Sequence, residues 1–209
     1  NKVDNATRIH CLAHIIRKFF EVIQPILNDK EALERSRALI GFNYCEQIYE
    51  LEKDIKKNYN SNEDFYDKRY KIRLKKLKPI LDEFKCFVNE EVENALPKSS
   101  LGKALEYAKE LLPNMYFILE DGHLEIDNNA AERAIKPFVI GRKNWLFCKN
   151  QKGAHASATI YSIIETAKAN NLIAERYLVY LFDKMTGIDD FSKFNFEPLM
   201  PWADEIPDN

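Results

Sequence analysis

The sequence predicts a mainly α-helical protein, and three observations support this fold class. Apolar residues recur at steps of three and four along most of the 209 residues, which is the period of one helical face. Glycine is scarce, with six residues, whereas β-sandwiches and Rossmann domains need glycine at their turns. Hydrophobic residues make up 45% and charged residues 31%, a composition that excludes a disordered chain.

The spacing of apolar residues in the N-terminal part predicts two helices within residues 8–58. Residues 8–27 have the helical period, and Pro25 is expected to kink or end this helix. Residues 30–58 form the clearest helix, because charged residues surround a single apolar stripe. Polar residues at 58–62 then predict a turn. The apolar stripes consist of Ile15, Phe19, Val22 and Ile26 in the first helix and of Leu33, Ile40, Tyr44, Ile48 and Leu51 in the second.

A second long helix over 63–95 follows that turn, and Pro79 is expected to interrupt and bend it. Two long amphipathic helices with a short polar connection predict an antiparallel helical hairpin. Another helix is predicted over 100–119. The Asp-Gly pair after it, followed by alternating residues, predicts a short extended stretch at 123–126.

The C-terminal part is predicted to be compact and helical. A helix is expected to restart at Asn129 and to be limited by Pro137, and the β-rich composition of 138–148 predicts a hairpin or irregular segment. Two further helices are predicted at 153–170 and 172–185. The acidic tail after them contains three prolines and is expected to form a surface strap. Short extended segments are therefore expected near residues 8–13, 123–126 and 138–148.

Charge and cysteine usage restrict the class of function. The formal net charge of -2 means that any nucleic-acid contact must come from local patches. Four cysteines without a C-x-x-C pair exclude a zinc ribbon and suit free thiols in a reducing cytoplasm. No apolar run approaches the roughly 20 residues of a membrane span. The chain begins with Asn1 rather than Met, so we expect it to be a fragment of a longer protein.

The densest motif is DNNAAERAIKPFVIGRKNWLF, at residues 127–147. Asn129 followed three residues later by Glu132 is a helix N-cap pattern, and local sequence alone favours Glu132 as a capping carboxylate without chemistry. The surroundings favour a second interpretation, in which cations and aromatic rings bind a nucleic acid and Glu132 holds Mg²⁺ beside its phosphate. The proposed DNA contacts are Arg133, Lys136, Arg142, Lys143, Trp145, Lys149 and Lys152.

Two other patterns leave alternatives open. His10 and His14 are four residues apart with Cys11 between them, so a shared metal is conceivable on a helix, but a structural role with Cys11 buried is favoured. The segment 68–78 carries seven cations and no acidic residue. It is either the solvated face of an amphipathic helix or a stripe that contacts the DNA backbone.

Three segments carry a resemblance to the insertion-sequence-66 family of bacterial transposases. The run LEIDNNAAERAIKPFVIGRKNWLF, followed by KGAHASATIYSIIETAKANNL, resembles the C-terminal signature of that family. The segment HCLAHIIRKFFEV resembles the family's C-W-A-H-x-R-R-K-F block, and the tail FEPLMPW resembles its L-P-W ending. The resemblance extends from about residue 9 to 202.

The resemblance implies a DDE transposase with an RNase H-like core, in which two aspartates and one glutamate hold two Mg²⁺ or Mn²⁺ ions for DNA cleavage and strand transfer. The family glutamate maps onto Glu132, as catalytic residue and metal ligand. The implied organisation is the end of the core at 1–29, an all-helical insertion at 30–119, a core part carrying Glu132 at 120–185 and an acidic tail at 186–209. The implied partners are transposon DNA and other transposase copies, with no membrane.

This sequence departs from the family because both aspartates precede the C-W-A-H block, and the chain has no D-G-Y motif upstream of HCLAH. Asp4 lacks that motif and receives no role. Leu12 and His155 stand where the family usually has Trp and often has Glu. The chain therefore supplies one of three metal ligands and is expected to be inactive alone. The alternative is a non-catalytic DNA-binding or protein-interaction module, which the codons upstream of Asn1 would distinguish.

Overall fold

The computed structural model describes residues 9–60, 62–145, 148, 150–204 and 206. The mainly helical class is confirmed, and the described residues contain no β-strand. None of the described helices is long and apolar enough to cross a membrane. The helices are α1 (Leu12–Ile23), α2 (Lys30–Arg35), α3 (Arg37–Tyr59), α4 (Phe65–Ile72), α5 (Lys78–Asn94), α6 (Ser100–Met115), α7 (Asn129–Trp145), α8 (Gln151–Ala169) and α9 (Ala174–Met185).

The chain divides into two compact units, Asn1–Asn129 and Ala130–Asn209. In the first unit, α1 packs against α3 and α6, and α5 packs against α3 and α6. Gly41 lets the Phe19 ring lie directly on α3, where any side chain would collide with that ring. The antiparallel arrangement of the helical hairpin stays a prediction. The buried core includes Leu12, Ile15, Phe19, Ile48, Leu81, Phe84, Leu105, Ala108, Leu112 and Ile118.

Local signals determine several helix ends of the first unit. Helix α1 ends at Ile23 and a short 3₁₀ turn takes in Pro25, as the missing N–H of proline requires. At the start of α6, the Ser99 hydroxyl accepts from the Gly102 N–H at 2.9 Å. The prediction of one helix over 30–58 is wrong, because Ser36 has an extended backbone with a ψ of 119° and separates α2 from α3.

A π-helical turn at Arg73–Leu77 joins α4 to α5, just before Pro79. Buried residues recur every four positions across it, at Phe65, Arg69, Arg73, Leu77 and Leu81. An α-helix has about 3.6 residues per turn, so each four-residue step would rotate the side chain by about 40°. The wider π-helical turn takes up about one additional residue. It thereby keeps the whole buried stripe on one side of the helix.

Two of those buried residues are arginines. Arg69 and Arg73 have no solvent exposure, and Glu52 of α3 is 3% exposed between them. Glu52 Oε2 accepts from Arg69 Nη2 at 2.7 Å, and Glu52 Oε1 accepts from Arg73 Nε at 2.6 Å. A buried guanidinium is tolerated only when a carboxylate and further acceptors satisfy it. One buried glutamate therefore holds two arginines of the neighbouring helix.

The same two arginines hold the segment that follows α6. Arg73 donates to the carbonyl oxygens of Ile118, Asp121 and Leu124 at 2.8–3.2 Å. Arg69 forms a two-pronged ion pair with Glu125, at 3.0 and 2.9 Å, and donates to the Gly122 carbonyl. These contacts fix residues 118–125 against α3 and α4. We call the four side chains Glu52, Arg69, Arg73 and Glu125 the arginine clamp.

The extended segments predicted at 8–13 and 123–126 form no strand among the described residues. In the first segment α1 already begins at Leu12, and the second is held by the arginine clamp. The carbonyls at 118, 121 and 124 already accept from Arg73, so they are not arranged as the edge of a sheet. The Leu12 N–H does donate to the Ile126 carbonyl at 3.0 Å, which brings the two segments together by a backbone hydrogen bond. Residue 8 lies outside the described residues.

The clamp is expected to weaken in acid. Burial raises the pKa of the Glu125 carboxyl, but hydrogen bonds and charges from Arg69 and Lys56 outweigh it and lower the pKa to about 2. Because the folded-state pKa lies below that of the unfolded chain, the stabilisation is complete above about pH 4.5 and is lost as the pH falls toward 2. We expect the urea midpoints of the wild type and of Glu125→Gln to differ most above pH 4.5 and to converge near pH 2. A difference between the two midpoints that stays constant from pH 4.5 to pH 2 would contradict a stabilising role of the ionised Glu125 carboxylate.

The second unit buries few side chains. Helix α8 packs against α9, and the Tyr177 hydroxyl of α9 donates to the Leu199 carbonyl of the tail at 2.7 Å. This contact holds the tail along the unit, as a surface strap requires. Large apolar residues remain exposed, among them Phe182 at 68% and Ile135 at 59%. Within the described part of this unit, the buried residues are Gly141, Ala167, Tyr177, Leu199 and Pro201.

Candidate functional site

The segment before α7 is tied to the first unit by polar contacts. Asp127 accepts from the Asn129 backbone N–H at 3.0 Å and from the Asn129 side-chain amide at 2.7 Å. Cys11 Sγ accepts from the Asn128 N–H at 3.4 Å. Burial, together with the nearby Asp127 carboxylate, raises the pKa of Tyr49 above its usual range. Because Asp127 accepts from the backbone N–H two residues further on, it forms an Asx-type turn immediately before α7.

Glu132 lies in the first turn of α7 and is exposed to solvent. The capping-box alternative needs the Asn129 N–H as its donor. That N–H donates to the Asp127 carboxylate, so it has an acceptor besides any that Glu132 would supply. Solvent access is a requirement for a metal ligand that must meet a DNA phosphate, and Glu132 meets it. The catalytic and metal-binding role of Glu132 stays a prediction.

The cations predicted on α7 are all exposed, and some share the face of Glu132. Arg133, Lys136, Arg142 and Lys143 are exposed. At about 100° per residue, Lys136 and Lys143 point within roughly 40° of Glu132 around the axis of a regular helix. Val139, which is 56% exposed, lies on the same face between the two lysines. This face carries one acidic and two basic side chains.

Residues 138–145 do not form the predicted hairpin, because α7 continues through Pro137 to Trp145. Residues 146 and 147 of the predicted segment lie outside the described residues. A rise of about 1.5 Å per residue places Glu132 and Arg142 about 15 Å apart along the axis. A hairpin would have let Arg142 and Lys143 fold back to line a concave surface around Glu132. The continuous helix instead spreads the charges along and around its axis, with Arg133 and Arg142 on opposite sides. The prediction is wrong because Phe138 packs edge-on against Tyr161 of α8 at 5.2 Å, and tertiary contacts override β propensity.

The remaining predicted DNA contacts are Trp145, Lys149 and Lys152, which stand at the end of α7 or follow it along the chain. Lys152 is exposed in the first turn of α8, whose N-terminus is capped by the Asn150 side chain accepting from the Gly153 N–H at 2.8 Å. The side chain of Trp145 and all of Phe147 and Lys149 lie outside the described residues. Their roles in DNA binding stay predictions.

An apolar pocket of about 480 Å³ lies between α7 and α8. Phe138 and Tyr161 form part of its wall, and the Glu165 carboxylate at its edge pairs with Lys168 at 2.8 Å. The pocket has no cluster of acid, base and nucleophile that would suggest chemistry. Its wall consists of Ala134, Ile135, Phe138, Ala158, Tyr161, Ser162, Glu165, Thr166 and Ala169.

The structure does not support a metal at His10 and His14. Helix α1 begins at Leu12 with Cys11 as its N-cap residue, so His10 precedes the helix and the one-turn spacing of the pair is lost. Cys11 is half-buried rather than buried, and its sulfur accepts from Asn128. Among the described residues, no group of three or more His, Cys, Asp and Glu side chains could hold a metal ion.

The sequence interpretation missed the arginine clamp. Residues 68–78 suggested seven solvated cations, yet Arg69 and Arg73 are fully buried. The signal was the four-residue spacing that places both arginines in line with the apolar residues Phe65 and Leu77. Periodicity counted over apolar residues alone passes over a charged residue on the buried face.

Exposed cations along a helix, with an exposed carboxylate in its first turn, suit a protein that handles a polyanion. A model of the transposase IS66 family matches residues 1–156. The chain therefore belongs to the IS66 family of transposases, and the resemblance in its motifs is confirmed.

Two curated relatives are named as uncharacterized proteins. The uncharacterized protein y4hP of Sinorhizobium fredii (strain NBRC 101917 / NGR234) is 28% identical over 197 residues, which cover 92% of this chain and 34% of y4hP. The uncharacterized protein y4jD of the same organism is 28% identical over 200 residues, covering 94% of this chain and 36% of y4jD. This chain thus spans about a third of the length of these relatives. No solved structure matches it.

Proposed function

We propose that this chain is the C-terminal portion of a DDE transposase that cleaves and joins DNA strands during transposition. The observation that carries the proposal is the family match over 1–156, which includes the motif around Glu132. The exposure of Glu132 in the first turn of α7 supports the same role. The DNA would be a transposon end, held by contacts to the phosphate backbone.

Glu132 would contribute one ligand to a centre that takes Mg²⁺ or Mn²⁺. Two-metal catalysis of phosphodiester cleavage requires several carboxylates around both ions. The described residues do not fit such a centre, because they offer no group of three ligands. The other carboxylates would therefore come from polypeptide outside this chain, and the chain alone would not cleave DNA.

The exposed cations of the second unit would bind the DNA backbone. Arg133 and Lys136 are within one turn of Glu132, whereas Arg142 and Lys143 are two to three turns further along α7. Lys136 and Lys143 lie on one side of a regular helix, about 10 Å apart along its axis, and can contact phosphates of one strand, whereas Arg133 and Arg142 point about 180° apart around that axis. Trp145, Lys149 and Lys152 would extend the contact at the end of α7 and the start of α8.

The proposed organisation includes part of an RNase H-like core. Residues 1–29 would end that core, 30–119 would be a helical insertion, 120–185 would carry Glu132, and 186–209 would be the tail. The exposure of Val139 and Ile140 on α7, at 56% and 53%, supports the presence of further polypeptide or another transposase copy over this helix. The full protein would act in the cytoplasm.

A protein-interaction module without catalysis is the second candidate, favoured by the same exposed apolar residues. The two candidates differ in the role of Glu132, because an interaction module needs no metal ligand. Replacement of Glu132 in the longer protein, described in the Discussion, therefore distinguishes them.

DNA binding by this chain is expected to be weak, non-specific and steeply dependent on salt, because local cations act on a chain of net charge -2. The double variant Arg142→Gln/Lys143→Gln should lower the slope of log affinity against log salt by about 2, at about 0.9 per lost phosphate contact. Fluorescence anisotropy with labelled duplex DNA at several salt concentrations measures this slope.

The matched control is Lys103→Gln/Lys109→Gln, which removes two exposed cations from α6 and changes the net charge equally. We expect it to bind DNA like the wild type. Equal slopes for both double variants, or binding that does not respond to salt, would contradict a DNA contact at α7.

A further inference from the structure

The cations of segment 68–78 divide into three groups in the structure. Arg69 and Arg73 are buried in the arginine clamp. Lys68 pairs at 2.9 Å with Asp64, the residue before α4, and Lys78 pairs at 2.6 Å with Asp82 of α5. The third group consists of Lys71, Lys75 and Lys76, which are exposed and form no ion pair with a described carboxylate.

The three unpaired lysines lie on a short stretch of α4 and the π-helical turn. Lys71 and Lys75 are one turn apart, so their Cα atoms are about 6 Å from each other. Asp67 precedes Lys71 by one turn, and Asp64 precedes it by two turns on the same stripe. A hydrogen bond from Lys68, together with the charge of Lys71, lowers the pKa of the Asp64 carboxyl. The local charge of this stripe is positive although the chain as a whole is slightly negative.

A row of exposed apolar and aromatic side chains runs beside these lysines. Tyr66, Tyr70 and Leu74 are four residues apart and are 45%, 37% and 40% exposed. One side of the Tyr66 ring stacks on His123 at 3.8 Å, which fixes its position. Tyrosine hydroxyls are frequent donors to DNA phosphates, and the lysine ammonium groups are compact point charges for the same acceptors.

The helical segment that carries these lysines and tyrosines is held in place by contacts on its buried side. The buried residues on the opposite side of the same segment include Arg69 and Arg73 of the arginine clamp, which bind Glu52 of α3 and residues 118–125. The side chains that face solvent therefore project from a helix whose own position is fixed. A rigid helix presents charges without the entropic cost of ordering a loop.

We propose that Lys71, Lys75 and Lys76, with Tyr70 beside them, form a second contact for the backbone of duplex DNA. This proposal rests on the proposed function for the identity of the polyanion, and it adds a site in the first unit that is separate from α7. Exposed positive charge beside hydroxyl donors complements a duplex that carries about one negative charge per 1.7 Å of its axis.

The test is anisotropy of labelled duplex DNA with the triple variant Lys71→Gln/Lys75→Gln/Lys76→Gln. We expect an affinity loss of at least about tenfold at low salt and a fall in the log–log salt slope of about 2–3. The control Lys98→Gln/Lys103→Gln/Lys109→Gln makes the same change in net charge and should stay within about twofold of the wild type. Circular dichroism confirms that both triple variants are folded.

A gain in binding provides an independent measurement. Asp67→Asn removes one of the two acidic groups beside the lysines and should strengthen DNA binding about two- to threefold, with a steeper salt dependence. Equal binding by the two triple variants, or unchanged binding by Asp67→Asn, would overturn the proposal. A competition experiment would also overturn the proposal if poly-glutamate displaced the labelled duplex as well as unlabelled DNA did at equal charge. That result would assign the surface to acidic proteins.

The outcomes separate this inference from the proposed function. If only Arg142→Gln/Lys143→Gln lowers DNA affinity, the contact on α7 stands and the one on α4 is wrong. If only the Lys71, Lys75 and Lys76 variant lowers it, the contact on α4 stands and the proposed contact at α7 fails.

Discussion

Replacing Glu52 by glutamine is expected to lower the free energy of unfolding of the first unit by about 3–5 kcal/mol, the cost of leaving a buried charge without its partner. Glu52 supplies the carboxylate that pairs with Arg73, whose other described acceptors are backbone carbonyls. The amide of glutamine would direct an N–H group at one of two buried guanidinium groups. Urea unfolding measures the loss, and hydrogen exchange at residues 65–77 and 118–125 locates it.

Two glutamates provide matched controls for that substitution. Glu21→Gln breaks an exposed pair with Lys18 and should cost less than about 1 kcal/mol. Glu125→Gln removes a half-exposed partner while Arg69 keeps Glu52, so its cost should lie between the other two. Equal costs for Glu52→Gln and Glu21→Gln would show that Glu52 does not hold the buried arginines.

Replacing Glu132 by glutamine in the longer transposase is expected to lower DNA cleavage by a factor on the order of a thousand. A metal ligand contributes several kcal/mol of transition-state stabilisation, and about 1.4 kcal/mol corresponds to a factor of ten. The same substitution should change stability by less than about 1 kcal/mol, because Glu132 is an exposed first-turn acid. Cleavage of a labelled transposon end in Mg²⁺ or Mn²⁺ is the measurement.

The control for Glu132 is Glu175→Gln, which removes an exposed acidic residue from the first turn of α9. It perturbs a helix terminus in the same way and should leave cleavage unchanged. Retained cleavage in Glu132→Gln would disprove its role as a metal ligand. The chain of 209 residues alone should not cleave DNA, and cleavage that Glu132→Ala abolished would show that its own carboxylates suffice.

The sequence predicted which residues surround Glu132 and to which family the motif belongs. It did not predict the distances between those residues. The residue types and spacing around Glu132 identify the family, and the start of the helix near Asn129 follows from local polar residues. The distance between Glu132 and Arg142 depends on whether residues 138–145 are helical. Their β-rich composition favoured a hairpin, and packing of Phe138 on Tyr161 accompanies the helix that forms instead.

The sequence by itself determined the features that depend on neighbours along the chain. These are the helical class, the end of α1 before Pro25 and the start of α6 at Ser100, because propensity and capping act within a few residues. Only the tertiary structure decided which charged residues are buried. Arg69 and Arg73 have the same local surroundings as the lysines between them, and their burial depends on Glu52 and on carbonyls about 50 residues further along the chain. A charge is buried only where distant groups satisfy it, and local sequence does not contain that information.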